Sequence, residues 1–205
     1  MHKTLEERID RIIHASEIEL ACEAYVGKYE LNDGKSIKRF ILDKLRKVYT
    51  NFNTGDKITL SRESARKLSG HLKDGEVYQK SLVHIPEIIE NMQFLEEMKP
   101  DKNKENPKFD NYSYYITPAN IDGEPHTILS TVGKMGNEIY YDQNVFKGMP
   151  EEAFKEAKTS NDNKYSRLKE ILKDSENGDW SQIGIAHPET PTASTNKYTK
   201  NSPEE

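Results

Sequence analysis

The period of the apolar residues changes once along the chain, and this change limits the folds that the chain can adopt. Before a polar stretch at 99–111, apolar residues recur at helical spacing, as Ile85, Ile88 and Ile89 do. From Tyr112 onward the period is two, which is typical of strands, and Asp122-Gly123 is a strong hairpin-turn signal. We therefore predict an α+β fold, with helices packed on one face of a small antiparallel sheet.

Turn and capping signals predict where the elements begin. Thr4 and Glu7 form a capping-box pattern for a first helix whose apolar stripe extends from Leu5 to Leu20, with Gly27 near its expected end. The other predicted elements are a helix after 32–34, a strand over 57–60, helices beginning at Ser61 and near Pro86, strands over 112–116, 126–132 and 138–142, and helices after Pro150 and over 165–173. The three later strands form a meander with His126 on its central strand.

We divide the 205 residues into four parts. An N-terminal helical region spans 1–47, and an α+β core spans 48–150. A C-terminal helical extension covers 151–187. The tail at 188–205 is expected to be disordered, because it is rich in Pro, Thr, Ser, Asn and Lys. The composition favours mobile ends, since only 34% of the chain is apolar and 32% is charged.

The sequence argues against three classes of protein. No apolar run approaches the roughly 20 residues of a membrane-spanning helix. The residues after Met1 predict a charged helix, which does not resemble a secretory signal peptide. Cys22 is the only cysteine, so neither an intrachain disulfide nor a cysteine-built zinc site can form. We expect a soluble protein of the cytoplasm with no membrane partner.

Positive charge is concentrated in one segment although the net charge is −5. Residues 35–49 carry six basic side chains against one acid, and a smaller basic group follows between 62 and 80. An RNA partner requires Lys and Arg locally rather than a basic total. The candidate RNA-binding residues are Lys38, Arg39, Lys44, Arg46 and Lys47. The alternative is a solvated helix face that keeps an acidic protein soluble.

Metal and cofactor chemistry finds little support in the sequence. The six histidines are scattered, without the spacing of a metal site. No glycine-rich loop of the phosphate-binding kinds is present. Asp56, Asp122 and Asp142 lie at predicted turns or strand ends, where aspartate is common without a metal. We expect neither a metal nor a cofactor.

The polar residue types that remain suit metal-independent RNA cleavage. Such cleavage needs a base for the 2'-hydroxyl, an acid for the leaving 5'-oxygen and cations beside the phosphate. Histidine can serve in either proton role. The candidates are Arg66, Lys67, His71, His126, and Tyr140 with Tyr141. Each candidate also has an ordinary structural interpretation. Arg66 and Lys67 would be exposed helix residues, and His71 would interact with helix-terminal carbonyls. His126 would only flank the hairpin, and about half of the tyrosines would pack in the core.

Four stretches of the chain resemble a known family of phage-associated domains. They read VYTNFNTGDKITLSRESARKLSGH, SLVHIPEIIENMQF, YSYYITPANIDGEPHTILSTV and IYYDQNVF, and together they extend from Val48 to Phe146. The family is found in large polyvalent proteins of phages and in mobile elements. It is placed by sequence in the barnase, EndoU, colicin E5/D and RelE-like nuclease group.

The resemblance implies a barnase/RelE-like fold and a metal-independent ribonuclease that acts as a toxin or effector in a bacterial host. The matching polar positions are Lys67, His126 and Tyr141. At the last strand this chain departs from the family pattern, since Gln143 stands where related sequences carry histidine. Loss of that histidine favours a descendant that binds without cleaving.

Two hypotheses of different classes follow. The first is an RNA endonuclease that produces a 2',3'-cyclic phosphate, with His126 as acid or base, Lys67 and Arg66 at the phosphate and Tyr141 positioning the substrate. The second is a catalytically inactive protein of the same fold that captures a host defence protein or a nucleic acid. A third possibility is that the first helices bind a cognate inhibitor or antitoxin, or a second copy of the chain.

Overall fold

The structure is a computed structural model that describes residues 3–21, 33–100, 109–135 and 138–173. Its helices are α1 (Leu5–Ile13), α2 (Gly34–Phe40), α3 (Arg62–Leu68), α4 (Glu76–Val83), α5 (Ile85–Asn91), α6 (Pro150–Thr159) and α7 (Ser166–Lys173). Its strands are β1 (Ile18–Leu20), β2 (Val48–Thr50), β3 (Lys57–Thr59), β4 (Gln93–Met98), β5 (Asn111–Ile121), β6 (Glu124–Met135) and β7 (Glu138–Lys147). Cys22 and the predicted disordered tail lie outside the described residues.

Five strands form one mixed sheet around β5. Strands β5, β6 and β7 are antiparallel neighbours, and β4 pairs antiparallel with the first half of β5. Strand β1 pairs with the second half of β5 in parallel, with Ile18 beside Ala119. The predicted hairpin turn is confirmed, because Asp122 and Gly123 both have positive φ, at 57° and 82°. The three predicted strands thus form one side of a larger sheet, with β7 at its edge.

Helices cover both faces of this sheet. On one face, α2 to α5 pack on residues such as Tyr115, Ile128 and Tyr141. On the other, α1, α6 and α7 pack on residues such as Tyr114 and Leu129. Strand β5 is therefore covered on both sides, and nine of its eleven residues are buried. The predicted α+β class is confirmed. Two details of the prediction were wrong, because helices pack on both faces of the sheet and because β1 pairs with β5 in parallel.

Local signals were right about where α1 and α3 begin, but they missed α4 (Glu76–Val83) and misplaced the end of the first helix. Thr4 and Glu7 form the predicted capping box of α1, and Ser61 caps α3. The first helix ends at Ile13 rather than continuing to Leu20, which is buried in β1 instead. Pairing with β5 offers Leu20 a buried position and a strand partner in Ile121, so tertiary contact overrides helical spacing.

Helix α3 lies beside the free edge of β7 and provides a hydrogen-bond partner for one backbone N–H of that edge. The backbone N–H of Tyr141 donates a hydrogen bond to the buried Ser64 hydroxyl over 2.9 Å. An unpaired edge N–H would otherwise need water or a foreign strand. This contact places the 3₁₀ turns at Ser69–Asp74, which follow α3, beside the same edge.

Candidate functional site

A basic surface covers α2, α3 and the turn between them. We use this name for nine exposed side chains, namely Lys35, Lys38, Arg39, Lys44, Arg46, Lys47, Arg62, Arg66 and Lys67. Helices α2 and α3 pack against each other, and the π-helical turn Ile41–Leu45 packs on α3. The cations therefore lie on neighbouring elements, which we treat as one surface.

The amphipathic sequence of this segment explains why the cations face water. Ile37, Phe40, Ile41 and Leu45 are buried in the core, so the polar positions between them point outward. Asp33 caps α2 by accepting hydrogen bonds from the backbone N–H groups of Lys35 and Ser36, and these bonds lower the pKa of its carboxyl.

Most cations of the basic surface have no carboxylate partner among the residues that the structure describes. Arg39 pairs with Asp43 and Arg66 pairs with Glu63, each within its own helical stretch. The other seven form no ion pair with any residue that the structure describes: Lys35, Lys38, Lys44, Arg46, Lys47, Arg62 and Lys67. Positive potential on this side is thus left for an external anion to neutralise.

His71 bridges two carboxylates at the end of this surface. Its Nδ1 lies 3.0 Å from Asp74 Oδ2, and its Nε2 lies 3.3 Å from Asp142 Oδ1 on β7. The side chain is 26% exposed, and its ring packs on that of Tyr78 with centroids 5.6 Å apart. Both ring nitrogens can donate only when the imidazole is charged, so the arrangement fits the imidazolium.

The charges around His71 favour its protonated form. Its hydrogen bond with Asp142 raises the pKa of the imidazole against the opposing effect of burial, and the negative charges of Asp142 and Asp74 add to the rise. Tyr140 donates from its hydroxyl to Asp142 Oδ2 over 2.9 Å. Burial and the Asp142 charge raise the pKa of Tyr140, which keeps this hydroxyl protonated. His71, Asp74, Asp142 and Tyr140 are called the His71 cluster below.

The structure brings some predicted site residues together and separates others. Arg66 and Lys67 are exposed on α3, one turn before His71, so these three share one region. His126 is buried at the start of β6, where its Nδ1 lies 2.9 Å from the carbonyl oxygen of Glu124. Tyr141 pairs with Val132, six residues further along β6, which corresponds to roughly 20 Å of strand.

Tyr141 and Gln143 point into the interior. The Tyr141 hydroxyl donates to Gln143 Oε1 over 2.8 Å and lies 3.1 Å from the Ser130 hydroxyl. The amide of Gln143 donates to the Ser81 hydroxyl over 2.7 Å. Neither side chain is exposed. Gln143, where the resemblance predicts histidine, is therefore a buried residue bonded within the interior.

Sequence reasoning overlooked Asp74 and the pairing of Tyr140 with Asp142. A period of two places residues 140 and 142 on one face of β7 and residues 141 and 143 on the other. That alternation was visible in the sequence, but which face meets His71 depends on how α3 packs against the edge. From the sequence, Asp142 is considered only for metal binding. Among the described residues, no group of His, Cys, Asp and Glu is arranged to hold a metal ion.

The comparisons with known proteins identify one family. A family model described as large polyvalent protein-associated domain 3 matches residues 29–141. No curated protein and no solved structure matches the chain. Within the described ranges, none of the helices is both long and apolar enough to cross a membrane.

Proposed function

The chain belongs to the large polyvalent protein-associated domain 3 family, and from this premise we propose that it binds RNA through the basic surface. The observation that carries the proposal is the group of seven exposed cations without a carboxylate partner among the described residues. A cation that is already paired would have to exchange its carboxylate partner for an RNA phosphate on binding. Unpaired cations gain directly from phosphate contact, because the counterions of the RNA are released.

The distribution of charge over the whole chain orients an approaching RNA. Residues 34–67 carry ten Lys and Arg against three Asp and Glu. The remainder of the chain carries twenty against thirty-two, since the totals are 30 and 35. An RNA strand is therefore attracted to one side and repelled by the rest, which favours a single docking orientation.

Salt-dependent binding of RNA tests this proposal. Replacing Lys38, Lys44 and Lys47 by glutamine should weaken binding of a single-stranded RNA and lower the slope of log K against log salt by about 2. The matched control replaces three exposed lysines elsewhere, Lys3, Lys99 and Lys173, and should leave that slope unchanged. Equal slopes in the two variants would remove the basic surface from the proposal. No RNA binding at all would instead favour capture of a host protein.

The His71 cluster supports a second function, metal-independent RNA cleavage. A protonated His71 can donate a proton to the leaving 5'-oxygen while the 2'-oxygen attacks phosphorus, and the neighbouring Asp74 carboxylate can take the 2'-hydroxyl proton. The products are a 2',3'-cyclic phosphate and a free 5'-hydroxyl. Arg66 and Lys67 lie one turn away and would stabilise the charge on the phosphate. This scheme replaces His126 and Tyr141, whose side chains are buried.

Cleavage in the presence of EDTA tests the second function. The protein is incubated with total bacterial RNA and excess EDTA, and the ends of the products are analysed. We expect cyclic phosphate ends from the natural protein and none from His71→Asn. The control Asn161→Ala changes an exposed residue between α6 and α7 and should cleave normally. Intact RNA with the natural protein would refute cleavage, and only the RNA-binding proposal would remain.

A further inference from the structure

Phe52 is a large apolar side chain that the fold leaves in solvent. It is 70% exposed, and Val48, at 61%, is the only comparable residue in the described part of the chain. Both side chains alternate with the buried Tyr49 and Asn51, so they point away from the core. Residues just before them, Arg46 and Lys47, belong to the basic surface.

The loop that carries Phe52 is held in place by hydrogen bonds. The Phe52 N–H donates to the carbonyl oxygen of Glu90 over 2.8 Å. The Asn51 amide donates to the carbonyl oxygens of Ile89 and Met92, both over 2.8 Å, and its oxygen accepts from Thr54 N–H over 2.8 Å. These bonds fix the backbone that carries the exposed Phe52 ring. Binding of a ligand therefore does not have to include the entropic cost of ordering this loop.

Phe52 forms one wall of a groove of about 630 Å³ between the end of α1 and the connection from α5 to β4. Amide side chains of Asn53, Asn91 and Gln93 line the same groove. Asn53 and Gln93 use their NH₂ groups on the carbonyl oxygen of Asn91, over 3.0 and 3.3 Å. The side-chain oxygens of all three amides accept no hydrogen bond from the residues that the structure describes, so they can accept from a ligand.

The charges in the groove nearly cancel. Arg11 and Glu17 both line it and carry opposite charges. The Arg11 guanidinium makes one long hydrogen bond, 3.4 Å from Nη2 to the carbonyl oxygen of Phe94, and its buried Nε has no partner in the described part. Its Nη1 forms no hydrogen bond with the described residues and can donate to a ligand. A neutral site with an aromatic wall and several amides suits a nucleobase better than a phosphate.

We propose that this groove takes one base of a single-stranded RNA, with the base stacked on Phe52 and its edge hydrogen-bonded by Asn53, Asn91 and Gln93. The inference rests on the proposed RNA binding, since the basic surface would hold the adjoining phosphates. Bases within an A-form duplex are stacked on each other and cannot enter, so the site selects single strands.

Binding of short fluorescent RNAs to the full chain tests the proposal. Phe52→Ala should weaken binding of a single-stranded oligonucleotide by roughly 5- to 150-fold, as expected for loss of one base–aromatic stack. It should leave binding of an RNA duplex and the salt slope unchanged, because no ionic contact is removed. Val48→Ala, which removes exposed apolar surface without an aromatic ring, is the matched control and should bind as the natural protein does.

A second variant reports on stacking directly. Phe52→Trp, made together with Trp180→Phe so that the new indole is the only one, should retain affinity and lose fluorescence when single-stranded RNA binds. Unchanged affinity in Phe52→Ala, with a salt slope that still depends on Lys38, Lys44 and Lys47, overturns the base site and leaves the basic surface standing. Absence of RNA binding in the natural protein overturns both.

Discussion

His71 couples its own protonation to the attachment of a turn to the sheet. One ring nitrogen faces Asp74 within the same turn, and the other faces Asp142 on β7. The side chain therefore joins two parts of the chain that are 71 residues apart. Its charge state has a structural consequence whether or not RNA is cleaved.

The stability of the protein should depend on pH through His71. Because the pKa of His71 is raised in the folded state, its contribution is complete below the unfolded value of about 6.5 and is lost as pH rises through the folded pKa. We expect urea unfolding of Asp142→Asn to give a free energy of unfolding about 1–3 kcal/mol below that of the natural protein at acidic pH. This free energy should also fall less as pH rises through the folded pKa of His71. A His71 imidazole that titrates at its ordinary pKa by NMR would contradict this prediction.

At this scale the sequence supplied the residue types but not the partners. His71, Arg66 and Lys67 were named as candidates and do share one region. Tyr141 was chosen over Tyr140, yet only Tyr140 reaches Asp142. Alternation along a strand shows that the two tyrosines face opposite ways, but only the packing of the layers decides which of them meets the histidine.

At the scale of elements, two side chains attach neighbouring elements through backbone groups. Ser64 joins α3 to the edge of β7, and Asn51 joins the β2–β3 hairpin to the end of α5. Both are fully buried polar residues, and each serves several hydrogen bonds at once. Loss of such a residue leaves backbone groups buried without a partner.

Ser64→Ala should destabilise the protein by about 1–3 kcal/mol, because the Tyr141 N–H and the α3 cap both lose their partner. Hydrogen exchange should show faster exchange at the Tyr141 amide than at its neighbours. Ser166→Ala, at an exposed helix position, provides the control and should change neither quantity. Unaltered exchange at Tyr141 would mean that the edge does not depend on Ser64.

Asn51→Ala should cost roughly 2–4 kcal/mol of unfolding free energy, since two carbonyl oxygens and two N–H groups lose a buried partner. Chemical denaturation measures the loss, with the exposed Asn161→Ala as the reference. A loss below that of the reference would show that water replaces the amide at no cost.

Elements with a strong local pattern were predictable, and those made by tertiary contact were not. The β5–β6 hairpin follows from alternation and from Asp122-Gly123. Strand β4 has a single fully buried position at Leu95, and β1 has only three residues. Such short segments become strands because β5 offers an edge, which their own sequences do not reveal.

At the scale of the whole molecule, one sheet separates two apolar cores. Residues of β5 contribute to both, as Tyr115 and Tyr114 do. Each core is bounded on one side by the same strands, β5, β6 and β7. The two layers should therefore unfold together.

Ile9→Ala and Ile88→Ala test this coupling, one on each face, where both side chains are fully buried. Each should cost about 2–5 kcal/mol. Far-ultraviolet circular dichroism and tyrosine fluorescence should show coincident unfolding transitions in both variants. Two separated transitions in either variant would show that the cores are independent.

The parallel pairing of β1 with β5 has a consequence for the order of events during synthesis. Ile18 leaves the ribosome about a hundred residues before its partner Ala119. Strand β1 therefore has no strand partner until β5 has been synthesised, and contacts so distant along the chain are slow to close. We expect the first strand of the nascent chain to stay accessible to chaperones and proteases until more than half of the chain has been made.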